Sequence, residues 1–279
     1  MSRGFLVLAQ DENTSEDKKL SYISQACLLA KTLKKHNAEE KISVVTNNKI
    51  QTKDLKYFDK VISIPGNDDA TSTQWKIENR HKLYQCTPYD NTIVMDVDMV
   101  VLEDISRWWT YLEKYDLFFT SNVKTYRQEL VTEDSYRKVF TANNLPNIYT
   151  GLHYFKKSKT AEEFYNMLEL ICNNWKVFFA ECLPKNTPPV LSIDVAASLA
   201  IKILGIESQV LTPKSSVTFT HMKSLIQNWK TYSGSWQDNV SPYIGRNGDL
   251  KIGNSLQKGV LHYTEETFLD CPGIENLHE

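Results

Sequence analysis

Short apolar runs alternate with segments of helical spacing through the first 120 residues. The run at 5–9 is wholly apolar, as expected of a strand that is covered on both faces, and the run at 42–46 is rich in β-branched residues. Between them, apolar residues recur every three or four positions, as on one side of a helix. We predict strands at 5–9, 42–46, 60–64, 92–95 and 117–119, and helices at 20–33, 74–87 and 105–112. This order predicts an α/β fold with a mostly parallel central sheet flanked by helices.

The second half of the chain is more mixed. The pattern predicts a strand at 149–155 and helices at 164–175 and 194–204. From residue 213 onward the sequence is richer in turn signals, and five of the ten glycines lie between Gly234 and Gly259. We therefore expect one core at 1–212 and a loop-rich extension of the same domain at 213–279.

Composition argues against several classes of partner. The net charge of -2 gives no basic surface for extended nucleic acid. No run approaches the roughly 20 apolar residues of a membrane span. The N-terminal apolar run at 5–9 is too short for a signal peptide, and acidic residues follow it directly. Five scattered cysteines without a C-x-x-C pair favour reduced thiols. We expect a soluble, cytoplasmic protein.

Two aspartates separated by one residue stand between apolar runs. Asp96 and Asp98 follow the strand predicted at 92–95. Side chains at i and i+2 of a strand point the same way, and ligands of open α/β sheets bind at the carboxyl ends of the strands. Two adjacent anions are costly to bury unless a cation joins them, and Mg²⁺ or Mn²⁺ would also attract phosphates. The motif predicts a divalent-metal site for a diphosphate; a solvated strand end is the alternative.

The stretch 89–105, YDNTIVMDVDMVVLEDI, resembles the D-x-D region of glycosyltransferases of GT-A fold. The likeness is greatest to the retaining group that includes glycogenin and the bacterial lipopolysaccharide galactosyltransferases, and it extends in layout over most of 4–210. It implies a metal-dependent enzyme that moves a sugar from a nucleotide-sugar, with UDP as the nucleotide and with retention of configuration. Asp96, Val97 and Asp98 would then line the donor site, and Asp98 would bridge the metal and the donor phosphates.

Two further stretches resemble the part of that family that holds the nucleobase. They are 5–9 and 22–33, the first strand and the helix after it. The resemblance implies base contacts from Ala9, Gln10 and Tyr22. A packing residue at the start of the helix is the alternative for Tyr22.

The resemblance also implies contacts to the donor phosphates and sugar. A basic residue before the D-x-D motif would neutralise the phosphates, and both Arg80 and Lys82 are candidates. The stretch 148–156, IYTGLHYFK, resembles a strand facing the donor sugar, where Gly151 would allow close approach of the backbone. Tyr149 replaces the asparagine usual at that position.

Candidate catalytic and metal-binding residues lie further along the chain. The stretch 192–200 resembles the element that carries an acid near the reacting carbon, which would be Asp194; a helix N-cap is the alternative. His262 matches the third metal ligand of the family, and His221 is its rival. The phosphate-binding lysine of the family has no clear match, although Lys223 could replace it.

Acceptor binding would fall to the second half of the chain. Under the resemblance, 1–212 is the nucleotide-sugar-binding catalytic core, and 213–279 supplies the third metal ligand and the acceptor side. Tyr232, Trp236 and Tyr243 are candidates for stacking on a sugar, with core packing as the alternative for each. The acceptor could be a glycan, a lipid, a protein or a nucleic-acid base.

Two other functions compete with this interpretation. Residues 96–100 also satisfy the D-x-D-x-[TV] signature of haloacid-dehalogenase-type phosphatases, in which the first aspartate is a nucleophile. That class needs a later acidic pair, whereas the Asp-Asp pair of this chain, Asp68 and Asp69, lies upstream. The missing phosphate-binding lysine motivates the second alternative, a catalytically degenerate homologue that only binds a glycan.

Overall fold

A six-stranded sheet lies at the centre of the computed structural model, with strand order β3-β2-β1-β4-β7-β6. The first four strands in this order run parallel, and β7 is antiparallel to both of its neighbours. The predicted mostly parallel α/β sheet is therefore confirmed. The structure describes residues 1–11, 21–70, 76–131, 137–211, 215–223 and 236–279. The strands are β1 (Arg3–Leu8), β2 (Ile42–Val45), β3 (Lys60–Ile62), β4 (Asn91–Met95), β6 (Leu117–Thr120) and β7 (Tyr149–Lys156).

Helices cover both faces of this sheet, which explains why the residues of β1 from Gly4 to Leu8 include no polar side chain. Successive side chains of β1 enter different cores: Phe5 packs in the core that contains residues of α1 and α4, and Leu6 in the core that contains residues of α6 and α8. Among the described residues, no helix is long and apolar enough to cross a membrane. The helices are α1 (Tyr22–His36), α2 (Thr52–Leu55), α3 (Leu83–Cys86), α4 (Arg107–Leu112), α5 (Lys138–Ala142), α6 (Lys159–Asn173), α7 (Trp175–Cys182), α8 (Ile193–Leu204) and α9 (Glu207–Val210).

Two predicted helices differ from the structure. The described part of 74–87 is a 3₁₀ helix at Glu78–Lys82 followed by the single turn of α3, which ends before Pro88 because the preceding residue must be extended. Residues 74 and 75, like residue 20 of another predicted helix, lie outside the described part of the chain. The helix predicted at 164–175 is divided at Asn174, whose φ of -128° leaves the helical region.

Two small sheets complete the fold. One has the order β5-β12-β8 and joins β5 (Met99–Val101) to β12 (Val260–His262) and β8 (Thr220–His221). The other is an antiparallel sheet of β9 (Pro242–Ile244), β10 (Leu250–Ile252) and β11 (Ser255–Leu256). The described part of the extension at 213–279 thus contains short strands as well as loops. The pairing of β12 with β5 attaches this extension directly beside the D-x-D motif.

Candidate metal centre

The D-x-D motif connects two sheets. The strand β4 ends in the central sheet just before Asp96, and β5 begins in a small sheet just after Asp98. The backbone of the motif is held on both sides, because the amide of Asp96 donates to the Gly151 carbonyl at 2.8 Å and the carbonyl of Asp98 accepts from the Tyr263 amide at 3.0 Å. This held backbone positions the two carboxylates at the carboxyl end of β4, where the sequence predicts a ligand site.

A histidine from the end of the chain completes a cluster with these aspartates. The pairing of β12 with β5 places His262 opposite Met99. His262 Nε2 lies 2.9 Å from Asp98 Oδ2 and 3.9 Å from Asp96 Oδ2. Ligand atoms of the three side chains all lie within 4.8 Å of one another. Of the two candidate histidines, the structure brings His262 into this cluster.

Positive charge balances the carboxylates of the cluster. The guanidinium of Arg80 donates to Asp96 Oδ1. Burial alone would raise the pKa of Asp98, but His262 and Arg80 hold it below its usual value. Burial alone would lower the pKa of His262, whereas Asp98 and Asp96 raise it. The arrangement thus favours positive charge between the carboxylates. A divalent ion would provide more of this charge than a proton on His262.

The geometry of the cluster fits one divalent ion. Carboxylate oxygens and an imidazole nitrogen form a donor set that Mn²⁺ accepts. An ion with ligands at about 2.1 Å sets adjacent ligand atoms roughly 3 Å apart and opposite ones roughly 4 Å apart. The 2.9 and 3.9 Å from His262 to the carboxylates, here a hydrogen bond and an ion pair, are close to these separations. Gly151 leaves the necessary space, since a Cβ there would lie 2.6 Å from Asp96 Oδ2.

The two basic candidates before the motif have different surroundings. Arg80 reaches the cluster through Asp96, and about a fifth (19%) of its side chain is exposed. Lys82 instead forms an ion pair with Asp69, at 2.7 Å, and also donates to the carbonyl of Asn67. Of the two, it is therefore Arg80 that lies beside the candidate metal ligands.

The residues predicted to hold the nucleobase lie at the end of β1 and the start of α1. Ala9 is fully buried. The side-chain amide of Gln10 donates to Asp68 Oδ2 and accepts from Asn79 Nδ2, each at 2.8 Å. Tyr22 is the first residue of α1 and is partly buried against the adjacent core. The side chain of Ala9 is thus packed inside the protein and that of Gln10 is hydrogen-bonded to its neighbours, whereas the side chain of Tyr22 is partly accessible.

Asp194 is anchored by groups from two other segments. Its Oδ1 accepts from the amide and hydroxyl of Thr150, at 2.9 and 2.5 Å, and its Oδ2 accepts from Arg137 at 2.8 Å. Burial alone would raise the pKa of Asp194, but Arg137 and the Thr150 hydrogen bonds bring it below the usual value. The N-cap of α8 is Ser192, so the alternative role of Asp194 as a helix cap is wrong.

Arg137 is a residue of this region that the sequence analysis missed. It is 2% exposed, and its guanidinium carbon lies 3.9 Å from the ring centroid of Tyr149. Tyr149 is the residue that replaces the expected asparagine, and it is buried. No local pattern reveals this arginine, because the carboxylate that pairs with it, Asp194, is 57 residues further along the chain.

The aromatic candidates for acceptor binding are placed differently from one another. Trp236 is fully buried, and its indole nitrogen donates to the Tyr263 carbonyl at 2.7 Å, so it packs in a core. Tyr243 is 64% exposed. Tyr232 lies outside the described residues. Of the two described rings, only that of Tyr243 offers an exposed face.

Solved structures of glycosyltransferases share this architecture. No model of a protein family and no curated protein matches the chain. The galactosyltransferase LgtC, solved with donor and acceptor sugar analogues, superposes with a TM-score of 0.57 over 98% of this chain and 93% of its own, at 14% identity. Mouse xyloside xylosyltransferase 1, in its apo form, gives 0.52 over 94% of this chain and 97% of its own, at 10% identity. The chain therefore has the GT-A fold of these glycosyltransferases.

Proposed function

We propose that this protein is a metal-dependent glycosyltransferase that moves a sugar from a UDP-sugar to an acceptor hydroxyl with retention of configuration. One observation carries the proposal: Asp96, Asp98 and His262 converge at the carboxyl end of a central strand, with Arg80 bound to the first of them. In a GT-A fold this is the edge of the sheet where a ligand is expected.

The residues of the cluster have separable roles in this proposal. Asp96, Asp98 and His262 would hold Mn²⁺ or Mg²⁺, which acts as a Lewis acid on the leaving nucleoside diphosphate. Arg80 would share the negative charge of that diphosphate, because its partly buried guanidinium is already oriented toward the same place. Charge would thus be stabilised by groups that the fold fixes before the donor binds.

The contacts of Asp194 suit a carboxylate that stabilises a positively charged sugar carbon better than one that forms a covalent bond to that carbon. An oxocarbenium-like centre would form as the bond to the diphosphate breaks. The ionised carboxylate of Asp194 would stabilise that charge or orient the sugar. Both of its oxygens are already bound, one by Thr150 and the other by Arg137. We therefore assign Asp194 an electrostatic role in preference to a nucleophilic one.

The contacts of the two acidic pairs favour the glycosyltransferase over the phosphatase. A phosphatase would use Asp96 as a free nucleophile, but Asp96 is bound to Arg80 and lies near His262. The second acidic pair is engaged elsewhere, Asp68 with Gln10 and Asp69 with Lys82. The degenerate alternative keeps one argument, the missing phosphate-binding lysine, and turnover of a donor separates it from an enzyme.

Calorimetric titration with UDP tests the proposal. The wild-type protein should bind UDP in the presence of Mn²⁺ and lose most of this affinity without it. An Asp96→Asn/Asp98→Asn variant should lose metal-dependent binding. Asp116→Asn removes a carboxylate that pairs with Lys156 outside the cluster, and this control should bind like the wild type. An affinity for UDP that changes neither with the metal nor with the double substitution would overturn the proposed donor site.

A further inference from the structure

Two histidine rings lie face to face beside the candidate metal centre. Parallel pairing of β8 with β12 sets His221 beside His262. Their ring centroids are 4.6 Å apart, and the ring planes differ by 1°. As whole residues, both are more than nine-tenths buried. Since paired residues of neighbouring strands project from the same face of a sheet, the backbone itself maintains this stacking.

His262 lacks the hydrogen bond that usually orients a metal-binding imidazole. Such a histidine normally donates its second ring N–H to a carboxylate, a carbonyl or a water molecule. His262 directs Nε2 to Asp98, and its Nδ1 is buried without a hydrogen-bond partner in the described part of the chain. No hydrogen bond at Nδ1 from a described residue fixes the rotation of this ring, so its packing contacts bear on its orientation.

Aromatic rings pack against His262. Phe219 lies 5.6 Å from His262 and 5.5 Å from His221, measured between ring centroids. Tyr149 meets His221 edge to face at 5.7 Å, and the guanidinium of Arg137 lies over Tyr149. His221 is thus held between buried rings, and it presents a fixed flat surface to His262.

We propose that His221 is a positioning residue that holds the ring of His262 in the orientation needed for metal binding by stacking against it, without binding the metal itself. This inference rests on the proposed function, because it requires a metal at Asp96, Asp98 and His262. In the described residues, the cluster of possible ligand atoms consists of these three side chains and does not include His221.

A pair of substitutions at position 221 separates stacking from ligation. His221→Phe retains a flat ring and removes both nitrogens, whereas His221→Leu fills the space without a flat ring. The affinity for Mn²⁺, with and without UDP, is measured from the electron paramagnetic resonance signal of unbound Mn²⁺. We expect His221→Phe to stay within about threefold of the wild type and His221→Leu to lose roughly tenfold or more. Thermal unfolding of each variant verifies that it is folded.

Several results would overturn the inference. Equal loss in both variants would show that the nitrogens of His221 are needed, and unchanged affinity in His221→Leu would show that stacking is not. Electron spin echo modulation of wild-type protein with Mn²⁺ and UDP requires no variant: we expect one coordinated imidazole nitrogen, and two would make His221 a ligand. Failure of the wild type to bind Mn²⁺ would overturn the proposed function as well, whereas wild-type binding with an unaffected His221→Leu refutes the role of His221 alone.

Discussion

Substitution of Gly151 by alanine should displace a metal ligand. Gly151 belongs to β7 and accepts the amide hydrogen bond of Asp96. A Cβ at this position would lie 2.6 Å from Asp96 Oδ2, whereas ordinary van der Waals contact begins near 3.4 Å. Asp96 must therefore retreat by about 0.8 Å, or the strand must move.

The expected loss of metal affinity follows from this displacement. Metal sites tolerate deviations of about 0.2 Å in ligand distances, so a shift of this size removes one ligand from an effective position. We expect the affinity for Mn²⁺ to fall roughly 10- to 100-fold, which corresponds to about 1.4–2.7 kcal/mol. The loss of folding stability should be about 1 kcal/mol, the low end for overpacking, because Asp96 is partly exposed and can move.

Binding of Mn²⁺ in the presence of UDP, followed by electron paramagnetic resonance, measures this effect. Gly245→Ala is the matched control, because its added Cβ would meet Asn247 Oδ1, the end of an exposed side chain, at 2.8 Å. This control should bind Mn²⁺ like the wild type. A folded Gly151→Ala variant with wild-type affinity would refute the placement of Asp96 in the metal site.

Two further predictions concern the charges around the cluster. Asp194→Asn should lower the free energy of unfolding by about 3 kcal/mol at pH 7, because Arg137 would keep a buried charge without its partner. Because the pKa of Asp194 is lower in the folded state, its contribution to stability is fully present above the unfolded pKa of about 3.9 and is lost as pH falls through the folded pKa. Denaturant unfolding should therefore show a smaller difference in free energy between the variant and the wild type at pH 3 than at pH 7. An equal difference at the two pH values would contradict this prediction. Arg80→Gln should weaken Mn²⁺-dependent UDP binding about tenfold, whereas Lys82→Gln should leave it unchanged because Lys82 pairs with Asp69. Equal calorimetric effects of these two substitutions would contradict the distinction.

The layered fold was predictable because burial on both faces leaves a local trace in the sequence. Phe5 and Leu6 are adjacent and both apolar since each enters a different core. The helix predicted at 74–87 shows the limit of such traces. Asn79 in its described part bonds to Gln10 and Asp68, and tertiary contacts of this kind override a helical spacing.

Local sequence reveals only part of the candidate site. Asp96 and Asp98 stand out because the motif and both apolar flanks fit in one short window. His262 was reached through a family resemblance, because its approach to Asp98 depends on the pairing of β12 with β5. Arg137 and the stacking of His221 depend entirely on contacts between distant segments, and no spacing rule predicts them.

Anomalous diffraction from a crystal grown with Mn²⁺ and UDP would locate both the metal and the nucleotide. We expect one strong manganese peak between Asp96, Asp98 and His262, with the diphosphate of UDP beside it and near Arg80. A manganese peak elsewhere, or UDP bound away from these side chains, would contradict the proposed donor site.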